Sequence, residues 1–227
     1  MPSLYIDRIV RSKRRTFSIQ IDERGRLIVR SPLRATDREI QQIVERRRAW
    51  IEPKQRVARE RYRKVSERSF REGDRYPYLG VWYPLFIIDS PDGKAPLRFC
   101  GGRFHLHREH LHRARELMTA WYQEQARRIL PERTILYASK TGLSYEKVRI
   151  TDARKRWGSC SSSGNINLAW RLVMAPLEII DYVIVHELSH REEQNHSSRF
   201  WEQVARIIPE YRSRRGWLNE HGFLLNL

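Results

Sequence analysis

The sequence predicts an α+β protein in two parts: a mostly β region over residues 1–107 with one long basic helix, and a helix-rich domain over 108–227. Two observations carry the division. Up to about residue 107, apolar and polar residues alternate in short runs bounded by turn residues, the period of strands. From Glu109 onward apolar residues recur three and four apart, the spacing of helices, interrupted by two β-like runs that supply a small sheet.

In chain order, Phe17, Ile19 and Ile21 alternate with polar neighbours, Glu23-Arg24-Gly25 turns the chain, and Leu27 and Val29 continue on a second strand. Thr36 with Glu39 forms a capping box for a helix carrying Ile40, Ile43, Val44 and Ile51, and Pro53 kinks or ends it. Tyr76 to Ile88 is strand-like and aromatic, broken at Gly80 and Pro84. Ser90 to Gly93 is a turn, and Leu97 to Phe99 with Arg103 to His107 make a short hairpin. A long amphipathic helix from Glu109 to Ile129 carries Leu117, Ala120, Trp121 and Ala126; a short one follows Pro131 and stops before Gly142. Lys147 to Thr151 and Leu168 to Val173 read as strands. Pro176 precedes another amphipathic helix marked by Leu177, Ile180, Val183, Ile184 and Leu188. After Ser197, residues Val204, Ala205 and Ile208 mark a closing helix that Pro209 ends.

The chemistry concentrates on the helix that begins after Pro176. It contains His186-Glu187-Leu188-Ser189-His190, and His196 follows six positions later. Helix positions four apart share a face, about 6 Å along the axis, so His186 and His190 can point both imidazoles at one ion. Glu187 is displaced round the helix, where it reaches a water on the metal instead of the metal and can act as general base. The polar run Arg191 to Asn195 ends in a residue that tolerates the left-handed conformation of a helix stop, so His196 comes off a turn and can fold back. Three protein ligands with one position left open is the arrangement of a catalytic zinc site holding a single Zn2+.

The spacing of the third histidine is similar to the metzincin pattern, but Glu193 stands where that pattern has glycine, and Met174 lies upstream, so no Met-turn follows. The string from Asn195-His196-Ser197 to Phe200-Trp201 resembles the YgjP-like metallopeptidase-domain family, related to the SprT and Spartan group of small zinc proteases. Supporting stretches are 156–173, from Arg156 through Trp157-Gly158-Ser159-Cys160 to Val173, and Asp181 to His190. Near the start, Arg11 to Arg15, Gly25 to Pro32 and Trp50-Ile51 resemble the family's amino-terminal region. The segment 54–75 and the arginine-rich tail after 211 carry no family mark. The resemblance implies a zincin-like domain, His186, His190 and His196 as zinc ligands, Glu187 as catalytic acid/base, and an edge strand beside the cleft that can pair with an extended peptide.

Charge building on the attacked oxygen calls for a donor besides the metal, and Arg156, Asn165, Asn167 and Tyr182 are the candidates; Tyr182 serves equally as a core aromatic. His105, His107, His110 and His112 have no acidic or cysteine partner for a second metal site and read as exposed polar positions. His221 reads the same way, with a place near the cleft also open to it. Cys160 reads as a small packed residue, and two cysteines, Cys100 and Cys160, make no disulfide framework.

A formal charge of +17, most of it arginine, points to anionic partners, with a plain solvated face as the competing account. The densest clusters run from Arg8 to Arg15 and from Arg46 to Arg71. The second places Arg59, Arg61 and Arg63 on an exposed helix with Tyr62 as its interleaved aromatic, which suits backbone phosphate contact better than base reading. No apolar run approaches membrane-spanning length, and the start lacks the order of a secretory signal, so the expectation is a cytoplasmic protein without membrane contact.

These readings lead to a metal-dependent hydrolase, with a metallopeptidase of proteins or peptides first. A nucleotide substrate is the alternative, because a uridine triphosphate pyrophosphatase activity is also attached to the family that the chain resembles. Two further readings are a protease acting on DNA-associated proteins and a nucleic-acid module with structural zinc. Glu187 beside the first ligand speaks against the last, since a structural site has no use for a base there.

Overall fold

A computed structural model describes residues 3–66, 69–89 and 95–227, with the backbone alone for 64–66; the turn expected at Ser90 to Gly93 lies outside them. The chain divides into two compact units, Met1–Glu67 and Arg68–Leu227. The boundary expected at 107 is thereby moved to 67. The strands between 75 and 107 bury Tyr76, Leu85, Phe104 and Leu106 in the same core as Met118, Tyr122 and Trp170, so they belong with the helices that follow.

The first unit holds β1 (Arg8–Ser12), β2 (Ser18–Ile21), β3 (Leu27–Pro32), α1 (Asp37–Arg46) and α2 (Arg48–Ser66). The sheet order is β1-β3-β2, with β1 parallel and β2 antiparallel to the central strand. Leu27 and Val29 on one face of β3 pack with Ile40 and Val44 of α1 and Ile51 of α2. The Thr36 capping box forms as expected: Thr36 accepts from the Glu39 amide, and Glu39 accepts in return from the Thr36 amide. Pro53 neither ends nor breaks its helix. The break falls at Arg47, and Pro53 lies exposed in the second turn of α2, where its ring removes one backbone hydrogen bond and leaves a carbonyl that water can reach.

The second unit opens with β4 (Arg75–Tyr78), β5 (Val81–Ile88), β6 (Leu97–Cys100) and β7 (Arg103–His107) in the order β4-β5-β7-β6. Pro84 does not interrupt β5. It marks the handover at which the strand stops pairing with β4 and Leu85 begins pairing with β7. A 3-10 turn, Arg108–Arg113, leads into α3 (Ala114–Thr141), and Gly142 caps it in the left-handed region. α3 is one helix, where the sequence reading placed two. Pro131 sits inside it, and the buried residues Ala114, Met118, Tyr122, Ala126, Leu130 and Thr134 continue on both sides of it. Splitting the helix would expose that stripe, which outweighs the roughly 3 kcal/mol that an interior proline costs.

A second sheet, β8 (Lys147–Thr151), β9 (Gly158–Cys160) and β10 (Asn165–Ala169), has the order β8-β10-β9, leaving β9 at an edge. The strand expected over Leu168 to Val173 stops at Ala169. Trp170–Met174 is a buried 3-10 turn whose Val173 and Met174 carbonyls accept from the Leu79 and Gly80 amides between β4 and β5. An apolar run of this length does not distinguish the two conformations.

α4 (Leu177–Ser189), α5 (Ser198–Ile207) and α6 (Tyr211–His221) complete the unit. α4 is not amphipathic: every residue from Ile179 to Val185 is buried, as are Glu187, Leu188 and Ser189, while Leu177 is 40% exposed. Its buried charge is compensated. Arg133 of α3 donates to both oxygens of Asp181 at 2.8 and 2.6 Å, and the Tyr137 hydroxyl donates to Oδ2 at 3.0 Å. No described helix is long and apolar enough to cross a membrane.

Candidate metal centre

His186 and Glu187 lie in the last turn of α4, and His190 caps it with right-handed backbone angles. The chain leaves the helix through backbone bonds from Arg191, Glu192 and Glu193 to the carbonyls of Leu188 and Ser189. Asn195 is not left-handed, since Phe70 and Leu79 are the only such non-glycine residues among those described. The return is made instead by Ser197, which caps α5 by accepting from the Phe200 amide immediately after His196.

That turn brings one nitrogen from each of His186, His190 and His196 to within 4.8 Å of one another. The Nε2 atoms of His186 and His196 are 3.0 Å apart. Two imidazole nitrogens on one tetrahedral zinc would stand about 3.3 Å apart, so the donor set fits such an ion. Nδ1 of His190 lies 3.0 Å from the Glu193 carbonyl; a proton there leaves Nε2 as the free donor. The rings are held from below by α5: Phe200, fully buried, stacks on His190 at 4.5 Å, and Trp201 stacks on His196 at 5.7 Å. Burial first, then the neighbouring His190, His196 and Arg215 charges, push His186 down to about 3, so it is a neutral lone-pair donor at physiological pH.

Glu187 is 6% exposed and faces β9. A Cβ on Gly158 would stand 2.5 Å from its Oε1, 2.6 Å from Cγ and 2.8 Å from Cδ, so glycine is what lets the carboxylate occupy this place. Burial pushes the carboxyl up to about 8, against the pull of Arg156 at the entrance to β9. Tyr182, one turn before His186, is buried with its ring 6.0 Å from that imidazole, and burial raises its hydroxyl's pKa, keeping it protonated.

Residues 15–221 match the family described as YgjP-like, metallopeptidase domain. The chain belongs to the YgjP-like family. No curated protein matches it. Among solved structures it is similar to the metallopeptidase zymogen of Pyrococcus abyssi abylysin, at 22% identity and a TM-score of 0.37, over 40% of this chain and 94% of that one.

Of the residues singled out from sequence, the YgjP-like chain gathers His186, His190, His196, Glu187, Tyr182 and Arg156. The hydrogen bonds of Asn165 and Asn167 run to serines of their own sheet. Asn165 donates to Ser163 in the tight turn between β9 and β10, and Asn167 donates to Ser159 across the strand pair. Cys160 is half-buried, its thiol raised first by burial, and stands outside the histidine cluster. His221 stacks on Trp217 and is not one of the three clustered histidines. His107 is buried at the end of β7 rather than exposed, because the following 3-10 turn folds over it, while His112 is exposed as expected. The sequence reading missed Gly158, Phe200, Trp201 and Arg215 as site residues. The first three lay inside strings quoted as family marks; Arg215 lay in the tail that carried none.

Proposed function

We propose that this YgjP-like protein is a zinc-dependent peptidase in which His186, His190 and His196 hold one Zn2+ and Glu187 is the general base. The observation that supports this most is the joint geometry: three convergent imidazoles, and the next side chain on the helix buried under an edge strand instead of joining the cluster. A zinc ion there would supply Lewis acidity and a water of lowered pKa. Glu187 takes the proton on its carboxylate and returns it to the leaving nitrogen. The Tyr182 hydroxyl and the Arg156 guanidinium are the donors proposed for charge on the attacked oxygen. The outer edge of β9 gives an extended peptide a strand to pair with, alongside Glu187.

A paired assay on zinc-loaded wild type and Glu187→Gln tests this. It follows fragment release from denatured casein and diphosphate release from a panel of nucleoside triphosphates. The expected result is casein cleavage by the wild type alone. Glu187-dependent diphosphate release without casein cleavage would replace the reading with nucleotide hydrolysis.

A further inference from the structure

Beside the histidine cluster, α5 and α6 enclose a groove of about 370 Å³ lined by Trp201, Tyr211, Arg212, Arg215, Gly216 and Asn219. Its floor is aromatic, with Trp201 and Tyr211 stacked at 5.2 Å and 17°. The Trp201 ring joins the groove to the cluster, standing 5.7 Å from both the His196 and the His186 rings. The Arg215 guanidinium lies over Trp201, 4.9 Å from the ring centre. Those two legs place it within about 11 Å of the His196 ring.

The other α6 arginines are engaged. Arg214 lies 3.6 Å from Glu210 and donates to the Glu178 carbonyl, and Arg212 donates to the Tyr211 hydroxyl. Among the described residues Arg215 has no carboxylate partner, and an aromatic face holds its position while leaving its N–H groups for a ligand. A planar guanidinium matches a carboxylate in two parallel hydrogen bonds, and an indole floor accommodates the short alkyl stem that carries one.

We infer that this groove is a substrate subsite for a carboxylate, with Arg215 as the residue that determines the preference. The inference rests on the peptidase reading. Extended chain advances about 3.3 Å per residue, so the carboxylate lies within about three residues of the bond that is cut. It belongs either to an aspartate or glutamate side chain or to the peptide's own C-terminus.

The test is a binding measurement that does not need turnover. Zinc-loaded, full-length Glu187→Gln protein is titrated into labelled peptides by fluorescence anisotropy, at fixed ionic strength. The peptides differ only in glutamate against glutamine within three residues of the centre, and in a free against an amidated C-terminus. One charge-assisted pair is worth about 1.5 kcal/mol or more, so the favoured carboxylate peptide binds at least about tenfold tighter than its neutral twin. Which pair shows the difference identifies the source of the carboxylate. Adding Arg215→Gln brings the carboxylate peptide down to its neutral twin's affinity, and Arg215→Lys restores part of the difference. Equal affinities for both pairs, discrimination that survives Arg215→Gln, or no binding of any peptide would overturn the inference. Failure of the peptidase reading shows separately, as absence of casein cleavage by the wild type.

Discussion

Gly158→Ala is the sharpest test of how Glu187, the proposed base, is positioned. The new methyl would meet three atoms of Glu187 at 2.5, 2.6 and 2.8 Å, where ordinary contact is about 3.5 Å. Something must therefore yield by roughly 1 Å. Rotating the carboxylate does not suffice, because Cγ, near the root of the side chain, is struck as hard as Oε1. The backbone of α4 is fixed by burial along almost its whole length, whereas β9 pairs through three residues on one side only. The strand therefore gives way, or Glu187 leaves its rotamer; either outcome changes the spacing between base and edge strand by about that amount. A misplacement of 1 Å costs on the order of 100-fold in rate, and overpacking of this kind about 1–3 kcal/mol in stability. The expected result is a fall of about two decades in kcat for casein-derived peptides. Bound zinc should remain near one per chain, since none of the three histidines is touched. A Gly158→Ala protein with kcat within about threefold of wild type would refute the reasoning.

Four further outcomes are expected. Glu187→Gln should abolish peptide hydrolysis while retaining zinc by metal analysis; loss of the metal together with activity would make Glu187 a ligand instead of a base. A ligand that binds the native state alone stabilises it by about 2.7 kcal/mol at 100 times its Kd, so chelation should lower Tm. His196→Ala should remove that increment while leaving the Tm of the metal-free protein unchanged, because His196 is exposed. Arg133→Ala strands the buried Asp181 carboxylate and should cost about 3 kcal/mol in denaturant unfolding, more than Asp181→Ala, which leaves a guanidinium that can reach water; the reverse order would contradict the burial argument. Finally, residues 1–67 carry 19 lysines and arginines against nine acids, a net of +10 out of +17. If that surface contacts nucleic acid, duplex binding should weaken steeply from 50 to 200 mM salt, and binding that ignores salt or is absent would remove the role.

What could be read from sequence was what local geometry decides. The Thr36–Glu39 box, the turn at Gly25 and the His186–His190 pairing each depend on residues within five positions, and each is present as read. The misses share a different cause. β1 went unread because it pairs parallel with β3, with β2 lying between them in the sequence, and Arg8 to Ser12 looks like a basic cluster when its partner is unknown. Pro53 and Pro131 were given their local cost without the tertiary packing that overrides it. α6 hides its helical pattern among arginines; of its residues only Tyr211 is buried. The same limit applies at the site. Gly158 meets Glu187 and Arg215 overlies Trp201 from segments far along the chain, and nothing in either segment announces the neighbour it will meet.

The placement of the cluster follows from what its helix can and cannot tolerate. α4 is buried on every side for most of its length, so a metal site midway would have to desolvate an ion and its substrate inside the core. At the C-terminal turn the constraint reverses. The helix ends there with carbonyls facing outward and a partial negative charge, worth about 0.3–1 kcal/mol to a nearby cation. His186 is half-buried and His196 exposed, so the cluster spans the step from core to solvent. Glu187, one position further round, is left on the buried side, where its carboxyl is desolvated and β9 covers it. Moving the motif one turn toward the N-terminus would sink the histidines among Val183 and Ile184 and lose the open coordination position. Moving it one turn outward would release the carboxyl into water and restore its ordinary pKa. A rigid helix that surfaces only in its last turn meets both requirements of the proposed mechanism at once: an accessible place for a metal and a sheltered place for the base.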